Sequence, residues 1–147
     1  MNIMYYKGKY SVKNPHKYMG DPTNVIYRSS WELKFMIWCD TNPSVIKFSS
    51  EETVIPYICP TDNRPHRYFV DFKIQVKAKD GKLKTYLVEI KPYAQTIPPK
   101  IPQRKTKRFI TEVMTYGKNE AKWNAAKNFC KDRGYEFIIL TENELNV

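Results

Sequence analysis

Between positions 67 and 91 the chain reads RYFVDFKIQVKAKDGKLKTYLVEIK, with apolar and polar residues alternating on both sides of Asp80-Gly81. Asp-Gly favours the positive backbone angles of a tight turn, and the flanking runs are rich in β-branched and aromatic residues, so the stretch predicts a β-hairpin. Tyr68, Val70, Phe72, Ile74 and Val76 fall on one face of its first strand. Asp71 interrupts the other face. On the return strand Glu89 and Lys91 share a face, and Ile90 between them points the opposite way. Centring the pairing on the turn sets position 71 near position 90, so Asp71 and Glu89 are neighbours across the hairpin to within one residue of register.

The remaining pattern supplies the elements around this hairpin. Ser29 and Glu32 have capping-box spacing. They open a helix that runs WELKFMIWCD and stops before Asn42-Pro43. It is apolar nearly all round and is expected to be buried. Residues 45–48 and 53–59 read as short strands, and 60–65 as a turn. Prolines 92, 98, 99 and 102 deny the stretch after Lys91 regular structure. Two amphipathic helices follow, at about 105–116 and at 119–133, the second with Trp123, Ala126, Phe129 and Cys130 on its inner face and stopped by Gly134. The run YEFIIL at 135–140 reads as a buried strand, and the polar tail 141–147 is expected to fray. Residues 1–28 hold no period for long and are punctuated by Asn14-Pro15 and Gly20-Asp21-Pro22, so they read as a loop-like arm. No internal repeat or linker divides the chain.

Composition narrows the classes. A length of 147 residues suits one domain, expected to span 1–147, with a core of its own. Mean hydropathy is −0.62 and no long apolar run occurs, which argues against a membrane span. No apolar signal segment is visible at the start, and residence in a cytoplasm is expected. Lys and Arg number 25 against 15 Asp and Glu, a net charge of +10 that favours a polyanionic partner over simple solubility. Cys39, Cys59 and Cys130 form no pair at metal-ligand spacing, and His16 and His66 lie far from any such pair. Neither a zinc site nor a disulfide framework is expected, only buried reduced thiols.

Asp71, Glu89 and Lys91 place two carboxylates and one ammonium in a small site. Like charges at that range repel unless a cation sits between them. A hard divalent cation such as Mg²⁺ takes carboxylate oxygens and leaves positions for water and phosphate. The plainer alternative is an exposed hairpin face with ordinary charges. Glu32 shares a helix face with Phe35, Met36 and Cys39, where an unpaired carboxylate is costly. It is a helix-capping residue, and it is also placed to be a third acid aimed at the same site. Arg64, His66 and Arg67 add positive charge beside the hairpin, either to contact the phosphates of DNA or as an ordinary solvated turn. Lys100, Arg104, Lys105, Lys107 and Arg108 form the densest basic run, leaving directly from the proposed site and able to hold a phosphate backbone. The arm, with Tyr5, Tyr6, Lys7, Lys9, Tyr10, Lys13, His16, Lys17 and Tyr18, either lies along nucleic acid with its rings on bases or packs over the core.

The order of helix, strands, acid-bearing hairpin, helices and final strand resembles the PD-(D/E)XK nuclease superfamily. The matching residues are Glu32, Asp71 in YFVDF, and Glu89-Ile90-Lys91 in VEIK; Val70 stands where a proline is usual. More narrowly, NPHKY, YRSSWELKF, HRYFVDF, VEIKP and GYEFIILTE resemble the head-completion nucleases of large contractile-tailed phages, themselves similar to transposon end-cleaving endonucleases. The resemblance covers about residues 5–142. It implies an α/β restriction-endonuclease-like core, a mixed β-sheet flanked by helices, and a metal-dependent DNA endonuclease with little sequence specificity that acts in head completion after packaging. It implies that Glu32, Asp71, Glu89 and the Ile90 carbonyl hold one or two Mg²⁺ ions, with Mn²⁺ able to substitute, and that Lys91 orients or deprotonates the attacking water. Arg28, Arg67 and the 100–108 run would position the DNA backbone. The implied partners are DNA and phage portal, neck or capsid proteins, in the host cytoplasm during assembly or in the virion. The alternatives are a structural capsid or neck protein with a vestigial site, a DNA-binding module driven by charge alone, and a junction or repair nuclease of the same fold.

Overall fold

The computed structural model describes residues 6–147; Tyr5, assigned to the arm, lies outside them. Helix α1 spans Ser30–Thr41 and is capped as its sequence requires, with the backbone N–H of Glu32 donating to the Ser29 hydroxyl at 3.1 Å. Its burial is one-sided. Trp31, Phe35, Met36 and Cys39 are buried, whereas Ile37 and Trp38 are exposed, which corrects the expectation of a helix buried all round. A helix lying on one face of a sheet has only one side to bury.

That sheet has four strands in the order β3-β6-β7-β8: β3 Val45–Ser50, β6 Phe72–Lys77, β7 Leu83–Ile90 and β8 Glu136–Leu140. β3, β6 and β7 are antiparallel neighbours, and β8 joins β7 in parallel. The sheet is therefore mixed and flanked by helices, a restriction-endonuclease-like arrangement. β8 is a half-buried edge, not the fully buried strand its apolar run suggested. Phe72 pairs with Val88, one residue from the register set by centring on the turn.

The first hairpin strand is interrupted. Residues 64–69 belong to β5 (Arg64–Phe69), which pairs with β4 (Val54–Cys59) in a separate two-stranded sheet. The expected turn at 60–65 shrinks accordingly to 60–63, with Asn63 in the left-handed conformation at φ 55°. Between β5 and β6 the chain bends at Val70 and Asp71. The Val70 N–H donates to the Thr53 carbonyl, and the Asp71 carbonyl accepts from Glu51. The bend switches faces. Phe72 and Ile74 pack with α1, whereas Tyr68 and Val70 pack with Leu87, Trp123 and Ala126 in the second core cluster, so the five alternating residues do not share one face.

Helix α2 is continuous over Lys107–Arg133, where two helices, at about 105–116 and 119–133, were expected, and it passes through Gly117. One interior glycine costs about 1 kcal/mol, and burial of Trp123, Ala126 and Cys130 farther along outweighs it. Gly134 ends the helix at φ 71°, as anticipated. The first turns lie beyond the core, and Ile110, Val113 and Met114 are exposed instead of facing inward. The tail is ordered. Thr141 and Glu144 form a capping box for α3 (Glu142–Leu145), and Leu145 is buried.

The arm packs over the core. Gly8–Lys9 (β1) pairs with Ile26–Tyr27 (β2). The buried Lys17 donates to the carbonyls of Cys39, Asp40 and Asn42 at 2.7, 3.0 and 2.9 Å, serving the C-terminus of α1. Asp40 accepts from the Tyr10 hydroxyl and from the backbone N–H groups of Lys13 and Asn14. Lys17 is thus committed to the fold and not to a polyanion.

Candidate active site

The site lies where β7 ends. Strand alternation turns Val88 and Ile90 toward α1, and Leu87 and Glu89 the other way. Glu89 is buried and accepts a hydrogen bond from the Tyr68 hydroxyl. Lys91 Nζ stands 3.7 Å from Glu89 Oε1. Asp71, on the bend, accepts the Ile90 N–H on Oδ2 at 2.8 Å, which ties its carboxylate to the Glu89-Ile90-Lys91 segment. Glu32 enters from the first turn of α1, within 3.4 Å of the Ser29 hydroxyl. An inter-strand bend and a strand end thus bring Asp71, Glu89 and Lys91 together, and Glu32, on the first turn of α1, is near enough for its charge to act on Asp71.

The charges are in tension. Burial, then the Glu89 carboxylate, push the Asp71 carboxyl well above the usual carboxylate range; Glu32 adds to this, and the Ile90 N–H and Lys91 oppose it. Burial raises Glu89 as well, against the pull of Tyr68, Lys91 and Lys122. Burial raises Glu32, which the charge of Glu51 reinforces and a backbone hydrogen bond from Arg28 opposes. Three acids raised together by burial form a pocket whose anionic state lacks positive charge. The donors are all oxygen, which fits a hard divalent cation.

Two members of the site carry no signal in the sequence. Tyr68 alternates with the core residues of the hairpin, and only the bend after it reveals that its hydroxyl meets Glu89. Lys122, on α2, is a lysine in a lysine-rich helix. Its ammonium lies 5.6 Å from the Tyr68 ring and 5.9 Å from the Tyr57 ring. Burial lowers its pKa, and the charge of Glu89 works against that. Tyr68→Phe, which removes the hydroxyl that donates to Glu89, is expected to lower the apparent metal affinity of the site on the order of tenfold, as loss of a ligand's supporting partner does, read as a shift in the metal concentration that gives half-maximal cleavage.

The raised carboxyls also set a pH dependence. Asp71, Glu89 and Glu32 bind protons more tightly in the folded than in the unfolded chain. The metal-free protein therefore gains stability as pH falls from neutral through their folded values, and the gain is complete below about pH 4, the unfolded range. Asp40 acts oppositely. Burial alone would raise it, but hydrogen bonds from Tyr10, Lys13 and Asn14 outweigh that and lower it, so its contribution disappears only in stronger acid. Melting in EDTA should show Tm rising between pH 7.5 and 5, and Glu89→Gln should flatten that rise and lift Tm at neutral pH.

The basic residues distribute unevenly. Arg28 pairs with Glu51 at 3.0 Å and acts on Glu32. Arg64 and Arg67 are exposed on β5; the Arg67 guanidinium lies 5.5 Å from the Phe69 ring, on the face away from Tyr68. His66 bonds to Asp62 at 2.7 Å. Lys100, Arg104 and Lys105 are exposed in the irregular segment before α2, and Lys107 and Arg108 open that helix, where Arg108 pairs with Glu112.

The model of the TnsA-like endonuclease N-terminal family matches residues 42–142, a span that contains Asp71, Glu89 and Lys91 and begins after Glu32. Over 146 residues the chain is 42% identical to the head completion nuclease of Enterobacteria phage T4, with 97% of this chain and 95% of that protein covered.

Proposed function

The chain belongs to the TnsA-like endonuclease family, and from that membership we propose that it is a Mg²⁺-dependent nuclease that hydrolyses phosphodiester bonds of DNA with little sequence specificity while phage heads are completed. The observation that carries the chemistry is the meeting of Asp71, Glu89 and Lys91 at the end of β7, with Glu32 close enough to act on Asp71 and burial raising all three carboxyls.

Glu32, Asp71 and Glu89, with the Ile90 carbonyl, would hold the cation. Bound there, Mg²⁺ supplies polarisation of the scissile phosphate and activation of a water, with Mn²⁺ able to replace it. The Tyr68 hydroxyl holds the Glu89 carboxylate, and the Ile90 N–H holds that of Asp71, so the ligand oxygens are set before substrate arrives. Lys91 orients the attacking water and offsets the negative charge that grows on the phosphate oxygens. Lys100, Arg104, Lys105, Lys107 and Arg108 hold the DNA backbone, and Arg64, Arg67 and Arg28 extend that contact; phosphate contacts of this kind position a duplex without reading bases.

The name of the phage relative supports the place in head completion. Its setting would be the host cytoplasm during assembly, with portal, neck or capsid proteins as partners. None of the described helices is long and apolar enough to cross a membrane.

Supercoiled plasmid incubated with the protein and Mg²⁺, Mn²⁺ or EDTA tests the reading. Nicking or linearisation with either metal and none in EDTA is expected. Binding with steep salt dependence but no cleavage would point instead to a DNA-binding head component, and a strong preference for four-way junctions over linear duplex would point to a repair nuclease.

A further inference from the structure

Cys59, Asp62 and His66 lie at the tip of the β4–β5 hairpin, and one ligand atom from each falls within 4.8 Å of the other two. The topology makes this meeting. Tyr57 pairs with His66 and Cys59 with Arg64, so Cys59 and His66 sit diagonally on one face of the hairpin. The turn between them carries Asp62 back over that face, and Asp62 Oδ2 already lies 2.7 Å from His66 Nε2. Cys59 is buried at the base, Sγ 3.0 Å from the Thr61 hydroxyl, while Asp62 and His66 are reached from solvent.

From this cluster we infer a second metal site, specific for a borderline-soft cation of the Zn²⁺ class and separate from the carboxylate site. A thiolate, an imidazole nitrogen and a carboxylate oxygen are the donors Zn²⁺ takes, and a thiolate is one that Mg²⁺ refuses. With zinc bonds of about 2.0–2.3 Å, tetrahedral ligands stand roughly 3.3–3.8 Å apart. Reaching that spacing needs only small rotations of the solvent-facing Asp62 and His66. A thiolate and a carboxylate neutralise the two charges of the bound ion, and the fourth position, facing solvent, goes to water. The spacing Cys-x₂-Asp-x₃-His escapes a search for cysteine pairs, because an aspartate stands where a second cysteine would be sought.

The site fastens the hairpin tip. β5 runs from His66 directly to Tyr68, and β4 from Cys59 back to Tyr57, the two rings that flank Lys122. Zinc at the tip holds the strands that hold Glu89, without touching the carboxylate site.

Titration of the full chain, stripped of metal, with Co²⁺ in the presence of excess Mg²⁺ tests this without any cleavage assay. One equivalent should produce thiolate-to-cobalt charge transfer and tetrahedral d–d bands, displaced by Zn²⁺. Glu89→Gln should keep the bands, which separates this site from the nuclease site. Cys59→Ser should lose them. His66→Ala, at a partly exposed position that leaves the core intact, should weaken them and remove the rise in Tm that Zn²⁺ gives the wild type. Absence of bands in the wild type, their survival in Cys59→Ser, or an equal Zn²⁺ effect on Tm in His66→Ala overturns the inference.

Discussion

Asp71→Asn and Lys91→Ala should each lower Mg²⁺-supported plasmid cleavage about a thousandfold, the scale on which a single group that acts on developing charge contributes. The two losses have different origins. Asp71 is half-buried, and its Oδ2 is fixed by the Ile90 N–H at 2.8 Å. Asparagine keeps an acceptor for that N–H but removes the charge a cation needs, so the fold survives and metal affinity does not. Lys91 pairs with Glu89 at 3.7 Å. Its removal leaves the carboxylates free to bind metal while stripping the charge that faces the phosphate. Calorimetric titration should separate the cases: Mn²⁺ binding is lost in Asp71→Asn and retained in Lys91→Ala. Duplex binding in EDTA should persist in both. Full cleavage by either variant would remove that residue from the mechanism.

Phe72→Ala should cost about 3–5 kcal/mol, the usual range for truncating a buried aromatic ring. Phe72 is completely buried, packs on Phe35 with ring centroids 4.9 Å apart, and pairs with Val88 in the sheet. A loss of that size is a large share of the 5–15 kcal/mol typical of a domain. The ring also has a position that other core residues lack. Phe35 sits one helical turn after Glu32, and Phe72 directly follows Asp71, so this one contact joins the helix and the strand that present two of the acids. Urea unfolding should give a lower midpoint with an unchanged slope, and cleavage should decline at temperatures where the variant is still folded. Ile37→Ala, on the exposed side of the same helix, is the control and should change stability by about 0.5 kcal/mol or less.

What the sequence made legible was local. Ser29 and Glu32 announced a helix start, Gly134 a helix stop, and Asp80-Gly81 a turn whose symmetry brought Asp71 beside Glu89. Each rests on residues a few positions apart. What escaped depended on partners far along the chain. The bend at Val70 and Asp71 is made by backbone bonds to Thr53 and Glu51, and without it Tyr68 is just another core residue of a long strand. The gap expected between residues 116 and 119 rested on local pattern, whereas the packing of Trp123 and Ala126 that sustains α2 is tertiary. The polar tail reads as frayed, although Thr141 and Glu144 carry a capping-box spacing; what orders it is the burial of Leu145 in the first core cluster, which is tertiary. Lys122 could not have been separated from its lysine neighbours by any rule of spacing.

The parallel pairing of β7 with β8 gives the protein a schedule. β7 receives β6 on one side through a short hairpin, but β8 reaches its other side only after the whole of α2 has been made. Contacts between distant stretches form late, since a long loop must close before they form. The N–H of Lys91 donates to the carbonyl of Leu140, a residue of that late strand. During synthesis, a chain that has emerged only as far as the hairpin already displays its acids but has nothing to set the backbone of its lysine. A chain truncated before β8 is thus expected to lack the backbone bond that sets Lys91, and to cut poorly even where its acids are in place.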